Sequence, residues 1–285
     1  MIKEKIFKNL VCLDCHKKLN LDNKKLVCSD CGKIYQIIGN KPYILDNKVK
    51  ILNQENNDVI INKLKILFKK YPRIFSFLYY TFGASFMGKS AKKAIKNIES
   101  DKLIINLGSG IKKINDRVVN IDFYPFDNVD IVSDISRLPF NNNSVDAVIN
   151  EFVLEHVKNP KSIVKEIHRI LKPNGLLYLA VPFVASFHSS PNDYYRWSKQ
   201  GIRELLKDFK EEEIGIRCGP TSAMLSVFNE WLAIVLSFGF RYLHQILLII
   251  FTIITSPLKI IDYLIYKFPS SQNIVYGFYY IGKKK

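Results

Sequence analysis

The sequence predicts an α/β protein: a doubly wound, mostly parallel sheet with an antiparallel last strand, a small N-terminal cysteine unit and an apolar helical insertion. Three observations carry this. From residue 102 onward short apolar runs alternate with a helical pattern. Two C-x-x-C pairs fall within residues 12–31. Residues 223–258 hold only two formal charges, Glu230 and Arg241.

The chain of 285 residues is 48% hydrophobic and 24% charged, enough to bury a core and to exclude wholesale disorder. Its formal net charge is +16, and residues 1–110 hold most of the excess, with 21 basic and 9 acidic residues. Such an excess suits an anionic partner and is silent on fold. The first fifteen residues show no apolar core of a secretory signal, so a cytoplasmic protein with reduced thiols is expected.

Residues 1–50 form the first unit. Cys12 and Cys15 are separated by twelve residues from Cys28 and Cys31. Each C-x-x-C makes a tight knuckle that aims two thiolates at one point, and two knuckles close a tetrahedron around zinc. Four thiolates leave no open position, so the ion is structural. The alternative is two redox dithiols, and Cys218 stands apart from both pairs.

Residues 51–99 form a basic helical linker. Positions 59–98 carry nine Lys or Arg and no acidic residue, interleaved with Tyr71, Phe75, Phe77, Tyr79, Tyr80, Phe82 and Phe86. Two readings stand: a face for membrane or nucleic acid, or a solvated linker whose aromatics pack on the next domain.

The core spans residues 100–222. Strands are expected at 102–107, 117–122, 130–134, 145–151 and 176–182, with an amphipathic helix over 159–172. Ile163, Val164, Ile167, Ile170 and Leu171 line the apolar face of that helix. Ligands of such sheets bind beyond the carboxyl ends of the strands. The first strand ends in Gly108-Ser109-Gly110, the second in Asp122, the third in Asp134, the fourth in Asn150-Glu151. Missing side chains let backbone approach a ligand, and an acidic residue after the second strand can hold ribose hydroxyls.

The runs INLGSG, VVNIDFYP, DIVSDISRLPFNNNSVDAVINEFVLEHVKNP, EIHRILKPNGLLYLAVPF and HSSPNDYYRWS resemble the class I S-adenosylmethionine-dependent methyltransferases of the small-molecule type. The likeness covers roughly residues 100–220 and a last strand near the end. It implies a Rossmann-like sheet with S-adenosylmethionine as cofactor. Gly108 and Gly110 would border the methionine moiety, Asp122 would bind the ribose, and Asp134 with the Ile135 backbone would read the adenine. Glu151 would lie near the sulfonium or the acceptor. The N-terminal knuckles resemble a zinc-ribbon module often fused to or partnered with such enzymes.

The segment after the fifth strand supplies candidates for the acceptor side. His188 titrates near neutral pH and is a candidate general base. Arg196 is a candidate clamp for phosphate or carboxylate. The alternative is that Asp193 to Arg196 pair with one another and cap the next helix. His156 is expected to orient backbone, and His168 to face solvent.

Residues 223–270 form the apolar insertion, and 271–285 return as the antiparallel edge strand with a basic tail. Glu230, Arg241, Pro257, Lys259 and Asp262 are expected to divide the insertion into helices too short to span a bilayer. These would lie in an anionic membrane surface, with Lys259 and Lys267 at headgroup level. A buried subdomain or dimer interface is the alternative. The leading expectation is methyl transfer to a small or glycan-like acceptor, free or lipid-linked, at the inner face of the membrane. An RNA methyltransferase is the second reading. The third is a non-catalytic binding protein, because Asn106 and Lys112 stand where the family carries an acidic residue and a glycine.

Overall fold

The computed structural model describes residues 7–46, Leu64, Leu67, 71–188 and 192–285. The part of the expected basic face 59–98 that falls on residues 59–70 thus lies outside the described residues, Leu64 and Leu67 excepted.

The N-terminal unit is a β-meander of β1 (Leu19–Asp22), β2 (Lys25–Cys28), β3 (Ile34–Ile38) and β4 (Lys41–Ile44). It is not a detached module. β4 pairs in parallel with a strand of the main sheet, Tyr43 opposite Val132 and Ile44 opposite Ser133, so the meander extends that sheet. Helix α1 (Pro72–Phe82) and the short α2 (Ala91–Ala94) lead into the core. Tyr79 and Tyr80 of α1 pack tilted and edge-on against Phe86, with ring centroids 5.6 and 5.8 Å away, and Phe86 itself bridges to Cys218, so aromatics of the linker do pack on the next domain.

The core strands are β5 (Ile104–Leu107), β6 (Val118–Asp122), β7 (Ile131–Ser133) and β8 (Val145–Glu151), followed by α3 (Pro160–Ile170) and β9 (Leu171–Pro182). Then come α4 (Lys199–Leu205) and β10 (Phe209–Cys218). Every residue of β5, β6 and β7 is buried, as expected for strands covered on both faces. Alternate side chains feed two cores. Ile105 and Leu107 join Ile163, Val164 and Ile167 of α3, whereas Ile104 joins Ala91 and Ile95 on the other face. Each such buried side chain contributes about 1.5–3 kcal/mol relative to exposure. The Asn159 side chain caps α3 through the Ser162 N–H, and Pro160 opens its first turn.

The insertion follows as α5 (Pro220–Leu236), α6 (Arg241–Thr255), a 3₁₀ turn (Ser256–Ile260) and α7 (Ile261–Ile265), and the chain ends in β11 (Gly277–Lys284). The order in the sheet is β1-β2-β3-β4-β7-β6-β5-β8-β9-β11-β10.

Three expectations are corrected here. β11 is not the edge: it lies between β9 and β10, antiparallel to both, and the unforeseen β10 forms the border. The apolar stretch is not cut into short pieces either. Arg241–Ile265 is one helical run of 25 residues, long and apolar enough to cross a membrane by length and composition. Pro257 does not end it, because proline is tolerated in the first turn of the 3₁₀ segment. Lys259 does not reach toward headgroups: it is buried, and donates at 2.6 Å to the carbonyls of Thr81, in the last turn of α1, and of Gly83 just after it.

Candidate functional site

The carboxyl ends of the parallel strands gather the residues singled out in the sequence. Gly108 and Gly110 are left-handed, at φ +66° and +54°. A Cβ on Gly108 would stand 2.6 Å from Val153, whereas one on Gly110 would meet nothing within 4 Å. The turn therefore packs tightly at its base and keeps open space over its tip. Gly108 and Ser109 donate to the Ile121 carbonyl at 2.8 and 3.2 Å, which draws the loop onto β6. Asp122, at the end of β6, accepts the Gly110 N–H at 2.7 Å and the Tyr124 N–H at 2.9 Å. Those two donors fix the carboxylate beside the open tip of the loop. Asp134 follows β7, with one oxygen accepting the Ser136 N–H at 2.9 Å, and Ile135 beside it is buried. Gly108, Gly110, Asp122, Asp134 and Ile135 thus lie on adjacent strand ends, and the space above Gly110 fits a ligand approached by backbone.

Asn106 is buried and donates to Asn120 at 3.1 Å, so a neutral amide pair replaces the acidic residue there. Lys112 reaches across to Glu151 at 2.5 Å, and Arg217 of β10 holds the other oxygen of Glu151 at 2.7 Å. The Arg217 guanidinium lies 4.5 Å over the Phe86 ring. Burial pushes the Glu151 carboxyl up, but the Lys112 and Arg217 charges outweigh it, and its pKa lies below the ordinary glutamate value. Arg217 escaped the sequence reading because β10 itself did, whereas Phe86 was singled out only as one of the linker aromatics.

A second group lies beyond β8 and β9. Glu155 and His156 end a 3₁₀ turn (Leu154–His156) after β8. Glu155 is fully buried, and among the described residues neither of its oxygens has a hydrogen-bond partner. Burial pushes its carboxyl up to about 8. His188 stands edge-on to His156, ring centroids 5.1 Å apart. The Asp193 carboxylate accepts the His188 backbone N–H at 2.9 Å and lies 3.6 Å from its Nδ1. Arg196 donates to Asp193 at 2.6 Å and to the carbonyls of Ala185, Ser186 and Tyr195. Its guanidinium is thus engaged by the protein's own groups, the pairing that stood as the alternative to an anion clamp. Glu155 went unremarked in the sequence because nothing in LEHV shows which way its side chain turns.

A cavity of about 320 Å³ opens between this group and the apolar helices, with His188 on one wall and Ser226, Asn229, Glu230, His244 and Thr255 on the other. Glu230 of α5 and His244 of α6 pair across it at 3.0 Å.

The four cysteines of the N-terminal unit converge. Cys12 and Cys31 sulfurs are 3.6 Å apart, Cys15 and Cys28 are 3.3 Å apart, and Cys15 and Cys31 are 3.6 Å apart. A tetrahedron with zinc–sulfur bonds of about 2.3 Å has edges of about 3.8 Å, so the four sulfurs fit zinc with small adjustment.

Comparison with known proteins agrees with this geometry. Residues 109–179 match the family described as "Methyltransferase domain". A demethylmenaquinone methyltransferase of Chlamydia muridarum is 26% identical over 111 residues, 31% of this chain and 48% of that protein. One of Renibacterium salmoninarum is 36% identical over 81 residues, 28% of this chain and 31% of that protein. The chain thus spans less than half the length of these two relatives. Among solved structures, a Haemonchus contortus phosphoethanolamine N-methyltransferase in complex with S-adenosylmethionine is 15% identical, with TM-score 0.49, covering 86% of this chain and 62% of that one. The matched segment runs from the strand-end glycine loop to β9, so the likeness to a methyltransferase domain falls on the strand ends that gather these residues, in a mostly parallel sheet that the four-cysteine unit extends at its edge.

Proposed function

We propose that the protein moves a methyl group from S-adenosylmethionine to a small, apolar-tailed acceptor, lipid-linked and glycan-like or quinone-like, at an anionic membrane surface. The cavity carries this reading, because it places His188 and the apolar helices on the walls of one space. The two curated relatives named for demethylmenaquinone support a small-molecule acceptor.

When bound, S-adenosylmethionine supplies a methyl group already activated on a sulfonium, so alignment of the acceptor is the protein's main task. The Gly108–Gly110 turn and Asp122 would hold the cofactor, with Asp134 and Ile135 bordering its base. Glu151, locked between Lys112 and Arg217, keeps a fixed negative charge at the end of β8. His188, held through Asp193 and exposed to the cavity, is placed to take the proton of an acceptor hydroxyl. Outside the cavity the helices expose Trp231, Phe238, Phe240, Ile254, Ile260 and Leu264. An apolar patch of this kind suits the interfacial layer of a membrane.

The test is label transfer. Methyl-labelled S-adenosylmethionine is incubated with the protein and with membrane and soluble extracts. Label in a lipid extract, lost with Asp122→Ala, supports the reading. Label confined to RNA or to water-soluble products overturns it.

A further inference from the structure

The Glu155 carboxylate is the least compensated polar group in the described structure: fully buried, with neither oxygen hydrogen-bonded. A buried carboxylate needs a proton or a cation beside it. Two histidines face it. His156 Nε2 lies 3.9 Å from Glu155 Oε1. The other ring nitrogen, Nδ1, meets the Asn192 carbonyl. A carbonyl only accepts, so Nδ1 carries the hydrogen of the neutral ring. That is how a backbone oxygen orients a metal-bound histidine. One donor atom from each of Glu155, His156 and His188 lies within 4.8 Å of the others. Asp193, itself fixed by Arg196, accepts the His188 backbone N–H at 2.9 Å and so anchors the residue beside the cluster.

We propose that Glu155, His156 and His188 form a binding site for one divalent transition ion, separate from the four-cysteine zinc. Two imidazoles and one carboxylate suit zinc or ferrous iron, and three protein ligands leave a position for an exchangeable oxygen. His188 lines the cavity, so that position opens toward it. The class of ligand it takes is therefore water or a hydroxyl or carboxylate oxygen of the acceptor. With the ion bound, His188 would serve as a ligand instead of a base, and the ion would supply the acidity that lets a bound acceptor hydroxyl release its proton to water in the cavity. Ion binding itself does not depend on methyl transfer.

The experiment counts metal on the full chain, stripped with chelator under reducing conditions and titrated with Co²⁺ and with Zn²⁺. The wild-type protein should bind two equivalents. One Co²⁺ should give intense thiolate charge-transfer absorption, and the other only the weak visible bands of nitrogen and oxygen ligands. Cys28→Ser should remove the first and keep the second. Glu155→Gln and His188→Asn, each folded by circular dichroism, should keep the first. They should weaken the second by more than the roughly 10–100-fold typical of an outer-sphere partner. A wild-type protein that binds only the thiolate equivalent overturns the proposal. So does a second equivalent that survives both substitutions.

Discussion

The carboxylate of Asp262 accepts the backbone N–H of Thr221 at 2.6 Å, and so caps the first turn of α5 from a different helix. The same carboxylate takes the Ser222 N–H at 3.1 Å and the Ser222 hydroxyl at 2.6 Å, and it is fully buried. Gly219 makes room for it: a Cβ there would fall 2.1 Å from the Asp262 carboxyl carbon. The negative charge also sits at the positive end of the α5 dipole. With Lys259 bonded to the end of α1, this cap ties the far end of the apolar run to the sheet domain.

Removing the cap should therefore be costly. Asp262→Ala strands buried donors that were bonded to a charge, a loss of about 1.5–3 kcal/mol. Gly219→Ala should lower stability too, by displacing the carboxylate. Thermal or denaturant unfolding checks both. Two melts that match wild type would show that the contact does not anchor the helices.

The four-cysteine unit makes a separate forecast. Cys28→Ser should release its zinc, and because β4 pairs with β7, the effect should travel into the sheet. Hydrogen exchange should rise across residues 19–44 and also along β7, while β8 and β9 stay protected. Exchange confined to the first 46 residues would show that the shared edge transmits nothing.

Much of this was legible in the sequence, and the gaps have physical causes. β5 to β9 were readable because strands buried on both faces are short apolar runs, and the glycine turn and acidic strand ends follow at fixed places. β10 was not, because FKEEEIGIRC lies on the edge and opens, after Phe209, with three consecutive exposed charges in place of an apolar alternation. Arg217 was lost with it. Asp262 and Lys259 were visible as charges in an apolar stretch, but sequence cannot tell a helix breaker from a buried tether. Glu155 and His156 sat in plain view. What singles them out is the fold, which turns the 3₁₀ segment toward His188, 32 positions away.

The cofactor loop gives the next forecast. Asp122→Ala should weaken S-adenosylmethionine binding by about 1.5–3 kcal/mol, the range for hydrogen bonds to a charged group. Gly108→Val should abolish binding, since its side chain would be driven into Val153 from a left-handed backbone. Calorimetry on folded variants reads both, and unchanged affinity in the two would remove the cofactor from this loop.

Glu151 predicts a pH dependence. Its folded pKa lies below the ordinary 4.5: burial opposes ionisation, but Lys112 and Arg217 outweigh it. A depressed carboxyl pKa adds stability that is fully present above the unfolded value and is lost as pH falls through the folded one. Arg217→Met removes one cation and raises the folded pKa, so acid unfolding should begin at a higher pH than in wild type. Glu151→Gln should flatten this part of the profile. Acid titrations followed by circular dichroism separate the cases, and superimposable curves for wild type and Arg217→Met would refute the ion-pair account.

The last prediction concerns the apolar helices. Arg241–Ile265 has 25 residues, about 37 Å at 1.5 Å per residue, which is enough to cross a hydrocarbon core of about 30 Å. Length alone would allow a span. The tethers oppose it: Asp262 is bonded to the start of α5 and Lys259 to the end of α1, and both would have to leave buried partners to cross. β11 must also return to the sheet between β9 and β10. The run should therefore lie along the surface of a bilayer. Ile246, Ile250 and Ile253 are exposed at helical spacing and form one apolar stripe on α6. Ile250→Asp with Ile253→Asp places two charges on that stripe without touching the cavity wall. The double variant should stay in the supernatant when wild-type protein floats with vesicles containing anionic lipid, and its affinity for S-adenosylmethionine should be unchanged. Basic residues near the surface add about 1 kcal/mol each on anionic lipid, so flotation should also weaken with salt. If wild type does not float and runs as a dimer that the double variant breaks, the stripe is a subunit interface and the membrane reading falls.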